Sequence, residues 1–369
     1  MKLQRILLVF ALLSISSGFQ LAAQEITISG LLDSTFSMRA GAGGSPAFSC
    51  GIEEYASLRM QAKLREFATV FCDVNFIAAA GDPAYTVIEP ERLYFRINAD
   101  IIRLDAGLLR LPFGYGLVWR PEDFLNPVNP LLPDARLRGV LGAGLSWYVT
   151  DTLKLAGFGA APRSAAPRGG EGEGWHTGLM FEQRWDKIDV QAMYFFESPH
   201  TGSGYGIHRA GVSIKADLEL GFVLDALYSY NHEQKTGING LSISGGFDYS
   251  FFDGDLIVIA EYLYNGASSS TSIHAGGSFA NEHYLYTGFT WRFDDLTTAG
   301  IALVSGLSDA SFTPIVNFNR ELFQGATLIL SAQIPLDRDL FSGNGRHGEL
   351  GPSLSSKYFD SGVKLRLRF

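Results

Sequence analysis

The sequence predicts an all-β protein, a single antiparallel β-barrel of about 18 strands that spans a membrane. Segments of about ten residues alternate apolar and polar side chains, and this period of two places the two sets on opposite faces of a strand. Short turns and longer polar connections alternate between the segments, which is typical of transmembrane barrels. After the N-terminus, no run of apolar residues is long enough for a membrane-spanning helix.

The number of strands follows from the turns. Asp and Gly dominate the predicted short turns, as tight turns require. Pro314 lies inside one weak segment and argues against its being a strand, so a barrel of about 16 strands stays open as an alternative. The predicted turns lie near Glu66, Ala99, Asp151, Asp186, Asp217, Asp253, Asp294 and Gly325.

The N-terminus has the pattern of an export signal. Lys2 and Arg5 precede an apolar run over residues 6–15, and small residues follow up to Ala23. A charged start, a short apolar stretch and a small-residue cleavage site predict a secretory signal peptide over residues 1–23. The barrel is therefore expected to occupy residues 24–369 as one domain.

Composition and cysteines narrow the choice of function. The chain of 369 residues has a net charge of −9, which argues against nucleic acid as a partner. If the first turn lies at Glu66, Cys72 pairs across the strands near Met60, about ten residues from Cys50. Both cysteines are therefore predicted to be unpaired.

The last segment, residues 357–369, alternates cations with apolar residues and ends on Phe369. It resembles the closing strand of bacterial outer-membrane barrels, in which a terminal Phe is the assembly signal. The resemblance implies an integral outer-membrane protein whose termini face the periplasm. Its expected partners are outer-membrane lipid and the barrel-assembly machinery.

Inward-facing charges separate by strand. The first and last strands of a closed barrel are neighbours, so their cations are expected to share one basic, pore-lining wall. The middle strands contribute mostly acids, among them Asp225 and Glu261. Such a lumen orients charged solutes, although the charges could equally serve only to keep it hydrated. The basic wall comprises Arg59, Lys63, Arg65, Arg92, Arg96, Arg103, Lys364, Arg366 and Arg368.

Some inward positions break the alternation. Val223, Leu227, Ile257 and Ile259 are apolar where a wet lumen predicts polar side chains.

The longest connection, residues 110–138, has five prolines and two glycines together with many apolar residues. A connection of this length and apolarity must pack on something, and the lumen is the interior available to it. We therefore predict that it folds inward as a constriction. Its candidate residues are Arg110, Phe113, Gly114, Gly116, Trp119, Arg120, Glu122, Asp123, Asn126, Pro127, Arg136 and Arg138.

Residues 114–127 resemble a loop of Gram-negative outer-membrane porin-like barrels, with the pattern W/F-G-x-G followed by N-P-x-D-x-x-N-P. Gly114 and Gly116 match the glycines, and Asp123, Asn126 and Pro127 match D-x-x-N-P. Trp119-Arg120-Pro121 departs from the usual F/W-N-P, and Glu122 replaces Thr. The resemblance implies a porin-like protein and indicates no particular substrate.

Together these features predict a channel for passive diffusion of small polar or charged solutes. Two alternatives stay open: a hydrophobic-substrate transporter, favoured by Phe113, Trp119 and Phe124, and a surface adhesin or scaffold barrel. No catalytic or metal-binding motif is present, so no enzyme activity, cofactor or metal site is expected. The oligomeric state stays open, with a trimer suggested by resemblance to porins.

Overall fold

The computed structural model describes residues 25–41, 48–79, 82–126, 130–131, 139–161, 174–199, 205–231, 240–266, 281–336, 349–350 and 357–369. These residues form one closed antiparallel barrel of 18 strands, which confirms the predicted fold class. The predicted signal peptide, residues 1–23, lies outside the described residues. In the described part of the chain, no helix has the length and apolarity needed to cross a bilayer.

Every strand pairs with its neighbours along the chain, and β18 pairs with β1 to close the barrel. The strands are β1 (Glu25–Gly41), β2 (Phe48–Arg65), β3 (Ala68–Ala79), β4 (Asp82–Ala99), β5 (Ile102–Leu109), β6 (Val140–Tyr148), β7 (Leu153–Ala160), β8 (His176–Trp185), β9 (Ile188–Glu197), β10 (Ile207–Asp217), β11 (Gly221–Asn231), β12 (Leu241–Phe251), β13 (Leu256–Asn265), β14 (His283–Asp294), β15 (Thr297–Gly306), β16 (Ser311–Phe323), β17 (Ala326–Gln333) and β18 (Lys357–Arg368).

All eight predicted short turns join consecutive strands at one end of the barrel, which we call the turn end. The longer connections lie at the other end, the loop end. Glu25 pairs with Lys63 and Leu31 pairs with Arg368, so the start of β1 and the end of β18 both lie at the turn end. The outer face alternates as predicted: Phe222 and Leu224 of β11 are exposed, whereas Val223 and Asp225 are buried. An apolar outer face of this kind faces lipid.

The segment that contains Pro314 is a full strand, β16, so the alternative of fewer strands is wrong. The carbonyl of Pro314 accepts a hydrogen bond from Ile334 N–H, one residue beyond the end of β17 at Gln333. A residue of an antiparallel strand directs its N–H and C=O toward the same neighbour. The donor that proline lacks would therefore face Ile334, between the last regular pair, Ile315 with Gln333, and the isolated bridge of Phe312 with Leu336, so its loss removes one bond near the end of the strand.

The first hairpins have the predicted register. Met60 pairs with Cys72, and Cys50 pairs instead with Met38 on β1. Both cysteines are free. The prediction of two unpaired cysteines is therefore confirmed.

The C-terminal residue completes the closure of the barrel. Gly30 N–H donates to the carbonyl of Phe369 at 2.8 Å, and Phe369 N–H donates back to Gly30 at 3.1 Å. The Phe369 ring lies over Gly30, in the space that a Cβ would occupy. Glycine at position 30 therefore leaves the space that the Phe369 ring occupies beside β1.

We expect deletion of Phe369 to reduce insertion into the outer membrane, because it removes the last two hydrogen bonds between β18 and β1 and the ring over Gly30. The measurement is the fraction of heat-modifiable, folded protein in outer-membrane fractions. Phe323→Ala, which truncates an exposed phenylalanine at the same end, is the control. Normal insertion without Phe369 would show that the closing strand does not need it.

Candidate functional site

The connection between β5 and β6 contains a buried, non-strand segment, residues 110–126, which we call the inner loop. Trp119 and Glu122 are fully buried, and Phe113 and Phe124 nearly so. A connection exposed to water at the mouth of a barrel would not bury such side chains. The inner loop instead packs against the inward-facing side chains of the wall.

Two apolar clusters hold the inner loop. In the first, the ring of Phe195 on β9 lies edge-on to the rings of Phe113 and Phe124, with ring centroids 4.8 Å and 4.9 Å apart. In the second, Trp119 lies edge-on to Tyr286 of β14 at 6.3 Å. The first cluster also contains Leu125, Val140, Ala160, Met193 and Leu227. The second also contains Val118, Leu263, Tyr284, Ala302, Val304, Ile315 and Leu350.

The backbone of the inner loop is bound by two carboxylates of the wall. Tyr115 and Gly116 donate their N–H groups to Asp225 of β11, the latter at 2.7 Å. The next three N–H groups, from residues 117, 118 and 119, donate to Glu261 of β13 at 2.8–2.9 Å. Gly114 N–H donates to the side chain of Gln191. Six consecutive amides are therefore satisfied by side chains of three strands.

This arrangement solves two problems at once. A buried backbone N–H without a partner is costly, and an irregular loop has no neighbouring strand to supply acceptors. A buried carboxylate is equally costly unless it is hydrogen-bonded. Because Asp225 and Glu261 are both buried, each group removes the penalty of the other.

The two glycines of the inner loop are required by this close approach. Gly114 has φ +79°, a left-handed conformation that favours glycine. A Cβ on Gly116 would overlap the carbonyl oxygen of Trp119. That carbonyl accepts from Ser244 Oγ at 3.2 Å, and Arg120 Nε donates to the Gly116 carbonyl at 2.7 Å. The segment is therefore a tight turn with fixed internal bonds.

Glu122 lies beside this attachment point. It is fully buried, and a Cβ on Gly114 would lie 3.0 Å from its Oε2 and 2.7 Å from Asp225 Oδ2. Burial, and then the Asp225 carboxylate, raise the pKa of Glu122 to about 9. Burial also raises the pKa of the Tyr115 phenol.

Part of the last loop-end connection covers the second cluster. Leu350 is buried within it, and its carbonyl accepts from Thr313 Oγ1 at 3.1 Å. The Glu349 carboxylate accepts from Asn281 N–H at 2.8 Å and from the Tyr284 hydroxyl. Residues 349–350 therefore attach the connection between β17 and β18 to β14, β16 and Asn281, over the second cluster.

The predicted basic side chains lie beside carboxylates that the inward-facing pattern of the sequence did not single out. Asp73 contacts Arg92 at 2.9 Å and Arg59 at 3.2 Å. Asp105, in the same way, contacts Arg96 and Arg103.

Asp33 of β1 contacts Arg366 at 2.9 Å and Lys364 at 3.8 Å, both on β18. Each of these three buried acids therefore lies within 4 Å of two cations. Lys63 pairs with Glu25. Arg368 is exposed, and the side chain of Arg65 lies outside the described residues.

The structure brings together most of the predicted loop residues. The inner loop contains Arg110, Phe113, Gly114, Gly116, Trp119, Arg120, Glu122, Asp123 and Asn126. Pro127, Arg136 and Arg138 lie outside the described residues. Three acids of the predicted acidic wall already have partners in the protein. Asp225 and Glu261 bind the loop, and Glu182 pairs with Lys154 and Arg184.

The sequence predicted that Asp225 and Glu261 face inward but not that they bind the loop, although two apolar residues nearby indicated a contact there. Leu227 lies in the first cluster, and Ile259 packs against the second. Both broke the polar pattern of the inward face. Their apolar character is explained by contact with the inner loop.

Among the residues that the structure describes, no group of three or more His, Cys, Asp or Glu side chains could hold a metal ion.

A closed barrel with an apolar outer face and an internal loop is the architecture of an integral outer-membrane protein of porin-like fold. No protein-family profile matches the sequence. No curated protein sequence matches it either.

Solved structures share this fold over almost the whole chain. OccAB4 of Acinetobacter baumannii superposes with a TM-score of 0.61 at 10% identity, covering 94% of this chain and 98% of that one. A BenF-like porin from Pseudomonas fluorescens Pf-5 gives 0.62 at 12% identity, covering 94% and 99%. Wzi of Escherichia coli, described as a carbohydrate-binding β-barrel, gives 0.63 at 11%, covering 95% and 86%. At such identities the likeness shows the fold alone.

We expect Glu261→Gln to loosen the inner loop, because an amide has one acceptor oxygen in place of two and directs an N–H₂ group at the loop donors. The free energy of unfolding should fall by about 2–4 kcal/mol, measured by urea titration in detergent micelles. Glu282→Gln, at an exposed position, is the matched control. Equal stability of the two variants would contradict the role of Glu261.

Proposed function

We propose that this protein is a porin-like channel for passive diffusion of small polar or charged solutes, with one basic wall and with the inner loop as its constriction. The observation that carries the proposal is the pairing of two cations with each of Asp33, Asp73 and Asp105.

The position of the inner loop supports a path along the basic strands. Its clusters draw on β6, β7, β9 and β11 and on β13 to β16. The cations instead belong to β2, β4, β5 and β18, which adjoin one another through β1 and β3. Because the inner loop packs against one side of the lumen, the water-filled space would lie along the other side, beside the basic strands. Selection would then follow from the width of this gap and from its charge.

The loop motif supports the same class. Gly114 and Gly116 are needed for the turn that Asp225 binds, so the resemblance of residues 114–127 to loops of porin-like barrels has a physical basis in this chain. The porin-like fold, shared with the BenF-like porin, is consistent with this proposal.

A second candidate is a surface-binding barrel whose lumen is closed. It is favoured by residues 349–350, which cover the Trp119 cluster from the loop end. The fold is shared with Wzi, a barrel described as carbohydrate-binding. The hydrophobic-transporter alternative loses its support, because Phe113, Trp119 and Phe124 are packed against the wall.

The deciding experiment is planar-bilayer conductance of the refolded protein, with a salt gradient across the bilayer. Stable conductance steps with a reversal potential that favours anions are expected. A folded, heat-modifiable barrel that inserts without conducting would reject the channel and support the surface-binding candidate.

We expect Arg59→Glu combined with Arg96→Glu to change the selectivity from anions toward cations, because both substitutions reverse charges on the proposed path. The reversal potential under the same salt gradient measures this change. Lys187→Glu, in a turn between β8 and β9, is the control and should leave it nearly unchanged. The same reversal potential in all three proteins would place these arginines away from the path.

Deletion of residues 114–127 should raise single-channel conductance at least about twofold, because the loop would no longer narrow the lumen. Deletion of residues 267–280, an equally long change in another connection, is the control. Heat-modifiability must show that both variants fold. Unchanged conductance in a folded loop deletion would reject the constriction.

A further inference from the structure

Glu122 is a buried carboxyl group that the attachment of the inner loop does not use as a hydrogen-bond acceptor. None of its surface is exposed. Neither of its carboxylate oxygens accepts a hydrogen bond of ordinary geometry from the described residues. A carboxylate in such a place loses its hydration without compensation.

The surroundings of Glu122 bring it against a second acid. Its side chain lies on Gly211 of β10, where a Cβ would be 3.0 Å from Glu122 Cγ. A Cβ on Gly114 would meet Glu122 Oε2 and Asp225 Oδ2 together. The hydroxyl of Ser213, itself fully buried, lies beside both carboxyl groups. Both glycines therefore leave room for the two acids to approach each other.

The charged groups around this pair do not neutralise it. Asp225 of β11 is the charged neighbour of Glu122, and Glu261 of β13 stands next along the loop. From the loop itself, Arg120 acts on Asp225 and Tyr115 donates its N–H to Asp225. β10 contributes Ser213, and its nearby cation Arg209 is paired with Glu197. Two carboxylates this close and this dry do not both stay ionised.

Asp225, rather than Glu122, is the ionised carboxyl group of the pair. It accepts N–H groups from Tyr115 and Gly116, and hydrogen bonds to the charged form of a carboxyl favour that form. The donors beside Glu122 are Ala226 N–H and the Ser213 hydroxyl, which it shares with Asp225, and neither makes a hydrogen bond of ordinary geometry to it. The proton of the pair therefore resides chiefly on Glu122.

We propose that Glu122 is a positioning residue for the inner loop that acts in its protonated form, so that one proton holds the constriction against Asp225. With the proton in place, Asp225 carries a single charge and binds the loop amides. Without it, two facing carboxylates repel at the point where the loop is attached. The proposal rests on the channel function and adds pH control of the constriction to it.

The direction of the pH dependence follows from linkage. A free loop would titrate Glu122 near its ordinary pKa of 4.5, whereas the docked loop holds that pKa at about 9. The docked loop therefore binds more protons than the free loop between these two values. Docking weakens as pH rises through this window, by up to about tenfold in the equilibrium constant per pH unit, and is constant above it.

The test is single-channel recording of the full chain between pH 5 and pH 9.5, comparing the wild type with Glu122→Gln. We expect the wild type to spend an increasing fraction of time in a larger conductance state as pH rises. Glu122→Gln, which copies the protonated form, should stay in the smaller state throughout. Glu282→Gln, a change at an exposed carboxyl group, should keep the wild-type pH dependence.

A second readout does not require conduction. With Trp147, Trp175, Trp185 and Trp291 replaced by Phe, Trp119 alone reports on the loop through quenching of its fluorescence by acrylamide. Quenching should rise with pH in the otherwise wild-type chain and stay flat with Glu122→Gln.

These readouts separate the two failures. An absence of conductance together with pH-dependent quenching would reject the channel and keep the proton-held loop. Quenching that does not change with pH, or a Glu122→Gln loop that is already exposed at pH 6, would overturn the role of Glu122. If a bound cation neutralised the pair in place of the proton, the Glu122→Gln loop would already be exposed at pH 6.

Discussion

The five hydrogen bonds from the inner loop to Asp225 and Glu261 are the interaction on which the interior of this barrel depends. Regular strands satisfy their own backbone groups, but an irregular loop in a lumen cannot. Two carboxylates supply the missing acceptors, and Gly116 lets the backbone approach them. The apolar clusters then exclude water from these bonds, which strengthens them. Without these acids, the amides of the turn would be buried without acceptors, which would destabilise both the turn and the packing of the clusters.

The charge of the lumen is a consequence of where the loop attaches. The chain as a whole is acidic, with a net charge of −9, yet two of its inward acids are covered by loop backbone. On the opposite side, Asp33, Asp73 and Asp105 are each outnumbered by cations. Net charge therefore does not describe the proposed path, because it counts acids that the loop backbone covers.

Local rules were sufficient for the frame of the molecule. Alternation and turn chemistry predicted the strands, the short turns and the closing strand, because each is decided within about ten residues. Pro314 misled the count only because the end of β17 was not visible in the sequence. The partners of the loop were not predictable in this way, since Glu261 lies 142 residues from Trp119. The apolar side chains of Leu227 and Ile259, at inward-facing positions, were the one sign in the sequence that the loop packs against these strands.

The sequence distance between the loop and its acceptors also constrains the order in which the molecule is assembled. Gly116 and Asp225 are 109 residues apart, and the strand that carries Glu261 comes later still. Until β11 and β13 have joined the sheet, the loop amides lack these acceptors. Docking of the loop is therefore expected to be a late step in the formation of the barrel, after the strands that bind it are in place.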